Sequence, residues 1–213
     1  VETSTCCDNT ATEQRMMAKL MRESVALWAR HYRIHSFRFD LMGHQPRAAM
    51  ELLRERVDTA TGRDVNLLGE GWNFGEVADG RRFVQASQLS LNGSGIGTFS
   101  DRTRDAVRGG GPSDSGRALV EQQGYINGLV YDRNEYAPDR PISDLMQAAD
   151  LVRVGLAGSL RDFRLDTYQG ATSRLDAIDY KGQPAGYVTE PSEVVNYVEN
   201  HDNQTLFDNN AYK

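Results

Sequence analysis

Ser36-Phe37-Arg38-Phe39-Asp40 is a short, aromatic, β-prone run that ends on a carboxylate. Leu67-Leu68-Gly69-Glu70 ends the same way, and so does the longer run from Val194 to Asp202. Between the first two, Pro46 opens a stretch in which Ala49, Leu52, Leu53 and Val57 recur at helical steps, and proline is tolerated in a first turn. A strand, a helix of that length and a second strand predict parallel neighbours joined by a crossover. An eightfold βα barrel places its catalytic acids at the C-terminal ends of such strands. The expected fold class is therefore α/β, with the chain forming part of a (β/α)8 barrel.

Working outward, Thr10 and Glu13 have the spacing of a capping box. A helix is expected after them, because Met17, Leu20, Met21, Ser24, Val25, Trp28 and Tyr32 recur at steps of three and four. Strands are expected over 36–41 and 64–69, and a loop with short pieces over 71–97. A further strand is expected at Gly97–Ser100, leading into a helix over Asp101–Arg108 that Gly109-Gly-Gly-Pro112 breaks. A helix follows over 142–155, marked by Leu145, Ala148, Ala149 and Val152, then loops and short strands over 158–192. Val194–Val198 is the last strand. About four barrel strands fit in this chain, whereas a whole barrel takes about 250 residues. The sequence of 213 residues is read as the central and later part of one catalytic domain, roughly strands four to seven.

The bulk composition narrows the function. Net charge is −6, which disfavours nonspecific binding to nucleic acid or an anionic membrane and suits a neutral ligand such as a sugar. No apolar run approaches the roughly 20 residues of a membrane span. Cys6 and Cys7 are adjacent and cannot staple two separate elements, and no Cys/His zinc spacing occurs. Asp8, Asn9, Asp64 and Asn66 offer oxygen atoms of the kind calcium takes, without EF-hand spacing to join them. No metal is required for the chemistry considered next.

Glycoside cleavage needs two carboxyl groups flanking the scissile bond, and a separation of about 5 Å marks a retaining, two-step reaction. Asp40 and Glu70 end neighbouring strands and are the candidates. Arg38 lies two residues before Asp40, on the same side of the strand, where it would keep that carboxylate ionised and oriented. Glu70 stands between glycines beside Trp72, an apolar neighbour of the kind that favours a protonated acid. Asp202 is a third carboxylate, with His201 beside it to hold sugar hydroxyls. Trp72 and Phe74 are faces on which pyranose rings stack. Taken singly, each has a plainer explanation: a turn or helix-cap Asp, a solvated Glu, a structural His, a core Trp. Three carboxylates on three strand ends, each with a fitting neighbour, weigh against those. His44 borders the site in this reading, His31 and His35 are surface groups at a helix end, and Gly93–Gly97 is a turn without the P-loop lysine. The alternating charges of Asp101–Asp105 are expected on a helix face.

These residues resemble the α-amylase superfamily, glycoside hydrolase family 13. The Phe37–Asp40 run is similar to the family's second conserved region, with Asp40 as nucleophile. Gly69-Glu70-Gly71-Trp72 is similar to the third, with Glu70 as acid/base, and Asn200-His201-Asp202 to the fourth, with Asp202 stabilising the transition state. Longer strings resemble type I pullulanases and limit dextrinases: Asp40-Leu-Met-Gly-His44, Gly69–Val77, Gly95–Asp101, Arg104–Gly110 and His201–Leu206. Cys6-Cys7 is similar to a pair in bacterial members. The resemblance implies retaining hydrolysis of α-1,6 branch linkages in pullulan and starch-type glucans. It places Arg38, His201, Trp72, Phe74 and Asn203 on the substrate, and implies a secreted or periplasmic enzyme. Ser36 stands where the family commonly has Gly. The family's first conserved region and its Tyr-Asn-Trp-Gly-Tyr motif have no counterpart here. Both are expected upstream of Val1, with the last barrel strand and a C-terminal β domain beyond Lys213. Two other readings remain: a catalytically incomplete piece that binds glucan weakly, and a family 13 transglycosylase of branching type.

Overall fold

A computed structural model describes residues 9–213, so Cys6, Cys7 and Asp8 lie outside the described residues. The chain divides into two compact units, Val1–Phe99 and Ser100–Lys213.

In the first unit, α1 (Arg15–His31) precedes β1 (Ser36–Phe39), α2 (Arg47–Thr61), β2 (Asn66–Gly69) and β3 (Gly97–Ser100). The strands pair in parallel: Ser36 opposes Asn66, Phe39 opposes Gly69, and Gly69 opposes Thr98. This is the α/β arrangement expected, with α2 as the crossover between β1 and β2. Phe37 and Phe39 face the core and pack against Met50, Leu53, Val57 and Leu67, which leaves Arg38 on the other face. Both strands are shorter than expected, β1 at its end and β2 at its start, and Asp40 and Glu70 each stand one residue past a strand end.

Several local expectations are corrected. Thr10 and Glu13 form no capping box. Thr12 instead turns its hydroxyl to Gln45, the Gln14 N–H bonds to Ala11, and the helix starts at Arg15 without a side-chain cap. The buried face of α1 is Ala26 and Ala29, with Met21 and Val25 beside them, while Leu20, Trp28 and Tyr32 are exposed. Small residues let α1 approach α2 closely, and the Trp28 and Tyr32 rings lie against one another outside, 4.6 Å apart. On α2, Met50 is buried and Leu52 is exposed. Residues 71–97 contain a kinked helical turn at Gly75–Gly80 and are tied down by main-chain bonds from Ala86 to Gln45 and from Gln88 to Gly71. The expected turn at Gly93–Gly97 covers residues 93–95, with Gly97 already in β3, and its Ser94 carbonyl accepts from Arg54.

The second unit holds α3 (Asp101–Arg108), α4 (Arg117–Glu121), α5 (Ile142–Leu156) and two small antiparallel hairpins. The hairpins are β4 (Arg164–Asp166) with β5 (Thr172–Arg174), and β6 (Asp179–Tyr180) with β7 (Gln183–Pro184). Last come β8 (Val194–Asn196) and α6 (Leu206–Tyr212). The core gathers Leu151 and Val154 of α5 with Leu165, Leu175 and Tyr180. The Asp101–Asp105 stretch lies on α3 with its charges paired, Arg102 with Asp101 and Arg104 with Asp105. Arg102, Arg104 and Arg108 are all buried. The Arg102 guanidinium lies between two aromatic rings, 5.0 Å from the centre of Tyr180 and 4.5 Å from that of Tyr187, an arrangement that favours a desolvated cation. Asp105 accepts from Tyr180 and from Lys181, each at 2.7 Å. Burial, together with the nearby Asp101 and Asp105 charges, pushes the Tyr180 hydroxyl well above its usual pKa, so it stays a donor. Among the described residues no helix is long and apolar enough to cross a membrane.

Candidate active site

The register of β1 and β2 continues past their ends. The Glu70 N–H reaches the Phe39 carbonyl at 3.3 Å, so Asp40 and Glu70 leave adjacent parallel strands side by side. Arg38 joins them. One guanidinium nitrogen pairs with Asp40 and the other lies 3.3 Å from Glu70 Oε1. Arg38 is thus shared by both acids, where the sequence assigned it to Asp40 alone. The two carboxylates differ in setting: the Asp40 side chain is 73% exposed and that of Glu70 only 8%. An exposed carboxylate is accessible to a substrate carbon. A buried one needs donors to offset its lost water, and Glu70 has them on both oxygens, Arg38 on Oε1 and the Leu41 main-chain N–H on Oε2 at 2.8 Å.

Sequence reasoning missed the Leu41 amide. Leu41 has φ 46 and ψ 41, the left-handed region that a branched side chain rarely enters. The turn after β1 thereby aims its N–H at the acid on the next strand. No residue type marks this in the sequence, because any residue but proline supplies the same donor. Gly43 was a legible signal. A Cβ there would sit 2.1 Å from the Trp72 carbonyl oxygen, and its own N–H donates to the Glu70 carbonyl at 2.8 Å. The glycines on either side of Glu70 have the same cause. A Cβ on Gly69 would meet the Phe39 carbonyl oxygen at 2.6 Å, and one on Gly71 the Gln88 nitrogen at 2.7 Å.

Phe74 packs against the His44 ring, nearly perpendicular to it, with centroids 4.6 Å apart. His44 is wholly buried, 3.0 Å from the Asn9 amide and 3.8 Å from Glu76 Oε1. Of the residues whose oxygens suit calcium, Asn9 donates its amide N–H to Glu76 at 2.8 Å and Asp64 accepts from Arg54 at 3.3 Å. Among the described residues no group of three or more His, Cys, Asp or Glu is arranged to hold a metal.

Asp202, His201 and Asn203 belong to the second unit. Asp202 does not end a strand. β8 stops at Asn196, and the acid follows in the turn that precedes α6. Beyond the strand the segment is held by side chains instead: the Val198 carbonyl accepts from Arg108 and the Tyr197 hydroxyl from Arg104. His201 Nε2 lies 3.2 Å from Asp202 Oδ1, and the Asp202 N–H bonds to the Asn200 side chain at 3.1 Å. Asn203 donates to the Pro112 carbonyl at 3.0 Å.

Comparison with known proteins fits this chemistry. A pullulanase from Klebsiella aerogenes is 50% identical over 215 aligned residues, which take in all of this chain and 19% of that protein. The chain is related along its whole length to the pullulanases. The chloroplastic pullulanase 1 of Arabidopsis thaliana is 39% identical, covering 98% of the chain and 22% of that protein. A crystal structure of a Klebsiella pneumoniae pullulanase in complex with maltotriose superposes with a TM-score of 0.92 at 49% identity, over all of this chain and 22% of that one. The chain therefore spans about a fifth of the length of the pullulanases it matches. No protein-family model matches it.

Proposed function

We propose that this chain carries the catalytic acids of a pullulanase-type glycoside hydrolase that cleaves α-1,6 linkages in pullulan and starch-type glucans with retention of configuration. The observation that carries the reading is the Arg38 guanidinium pairing with both Asp40 and Glu70 at the ends of adjacent, in-register parallel strands. Neighbouring strands lie about 4.8 Å apart, a spacing that suits the closely set carboxyl pair of a retaining enzyme.

In this reading the exposed Asp40 attacks the anomeric carbon while Glu70 protonates the leaving oxygen. Glu70 then takes a proton from water as that water displaces Asp40. Arg38 orients both carboxylates. Asp202 stabilises the oxocarbenium-like transition state, and His201 and Asn203 hold sugar hydroxyls. Trp72 offers a stacking face on the leaving-group side, and Phe74 presents whichever surface His44 leaves open. None of these steps requires a metal. Three parallel strands with α2 as a crossover are read as consecutive staves of a (β/α)8 barrel within one catalytic domain, and the family resemblance alone is the ground for a secreted or periplasmic setting.

The test is Asp40→Asn and Glu70→Gln in the full-length polypeptide that carries this chain, assayed for reducing-sugar release from pullulan. Each should lower kcat by orders of magnitude, and near-normal hydrolysis by either variant would refute the assignment. Because the chain spans only about a fifth of its relatives, the same assay on the 213-residue chain alone separates catalysis from weak glucan binding. Branched transfer products would favour the transglycosylase reading.

A further inference from the structure

Between Asn196 and Leu206 the second unit has no strand or helix, yet this segment carries Asp202 and is held along its length. Arg104 Nη1 donates to the Tyr197 hydroxyl at 2.6 Å, and Arg108 Nη1 to the Val198 carbonyl at 3.0 Å. Asn203 donates to the Pro112 carbonyl at 3.0 Å, and the Leu206 N–H to the Glu199 carboxylate. Arg104 and Arg108 stand one turn apart on α3, so a single helix face grips two successive residues.

The helix that does the gripping is itself fixed. Asp105, 8% exposed, holds the Arg104 guanidinium at 2.8 Å. At the C-terminal end of α3, the Lys213 ammonium donates to the carbonyls of Arg108, Gly109 and Gln122 at 2.7, 2.9 and 2.6 Å, a cation where the helix dipole favours one. Asn127 adds a bond to the Arg108 carbonyl at 2.9 Å.

We propose that Arg104 and Arg108 are positioning residues for Asp202: they set its place by fixing Tyr197 and Val198 and do not themselves touch the sugar. The proposal rests on the catalytic role given to Asp202 above.

The experiment compares Arg108→Met, Arg108→Lys, Tyr197→Phe and Asp202→Asn in the full-length polypeptide, with pullulan as substrate and thermal unfolding recorded for each. Misplacing a catalytic group by about 1 Å costs up to about 100-fold, so Arg108→Met should lower kcat about 10- to 100-fold with KM changed less than about twofold. Arg108→Lys, which keeps a donor, should recover most of that loss. Tyr197→Phe should lower kcat about 3- to 10-fold at an unchanged unfolding temperature, and it decides the question if Arg108→Met does not fold. Wild-type kcat in Arg108→Met and Tyr197→Phe, or a loss confined to KM, overturns the proposal when Asp202→Asn is inactive. An active Asp202→Asn enzyme removes the role of Asp202, and the proposal with it.

Discussion

The main-chain N–H of Leu41 donates to Glu70 Oε2 at 2.8 Å. The residue that follows one acid therefore orients the acid on the next strand, through an atom that only a substitution to proline removes. The geometry depends on a left-handed Leu41, so position 41 couples backbone conformation to the chemistry.

That coupling predicts opposite outcomes for two substitutions at position 41. Glycine enters the left-handed region freely, so Leu41→Gly should stay within about 1 kcal/mol of the parent in urea unfolding. A β-branched residue is disfavoured there, so Leu41→Ile should cost about 1–2 kcal/mol. Equal stability for Ile and Leu would show that the turn is not strained.

Arg38 serves two carboxylates through separate nitrogens of one rigid planar fork, a spread that the compact point charge of a lysine does not reproduce. Arg38→Lys should therefore recover little of the activity lost in Arg38→Met. Both should fall by about 100-fold or more in kcat/KM on pullulan, the scale of losing a fixed donor in an active site. A lysine variant near wild type would mean that charge alone suffices.

Gly43→Ala forces a methyl group to within 2.1 Å of the Trp72 carbonyl oxygen. Overpacking against main chain costs about 1–3 kcal/mol, and the displacement falls on the segment that bears Glu70. Urea unfolding should show that loss, and pullulan hydrolysis should drop with it. Unchanged values for both would show that the 69–72 segment yields easily.

Asp176 gives a pH signature. The Arg174 hydrogen bonds, with Oδ1 at 3.0 Å and Oδ2 at 2.7 Å, hold its carboxyl below the ordinary range, with Arg161 assisting. A carboxylate depressed in the folded state stabilises the fold above its unfolded pKa, and that stabilisation is lost as pH falls through the folded value. Arg174→Met should accordingly lower the unfolding temperature at pH 7 and converge on the parent as pH falls below the ordinary carboxylate range. Parallel curves would remove Asp176 as the cause.

The alternation of short apolar runs with helical periods was enough to place β1, α2, β2, β3, α3 and α5, because each is set by local pattern. The buried faces were less legible. Ala26 and Ala29 carry no hydrophobic signal comparable to Trp28 or Tyr32, yet close helix packing selects the small residues. Charge was misleading in α3, where Arg102, Arg104 and Arg108 are buried by partners distant in sequence. At the candidate site the side chains of Asp40, Glu70 and Arg38 were readable by type and spacing. The Leu41 amide was not, since a main-chain donor has no letter of its own. The path of the chain after β8 was hidden too, because it is held by arginines about ninety residues away in sequence.

The atoms of residue 72 nearest a Cβ placed on Gly43 are its carbonyl oxygen, nitrogen and carbonyl carbon. What Gly43 constrains is thus the path of the chain at position 72, not the identity of the side chain there. The two roles are separable. With Gly43 kept, Trp72 can be varied across aromatic, aliphatic and polar types to change what a sugar meets on that side, while the course of the main chain beside Glu70 stays fixed by its neighbour.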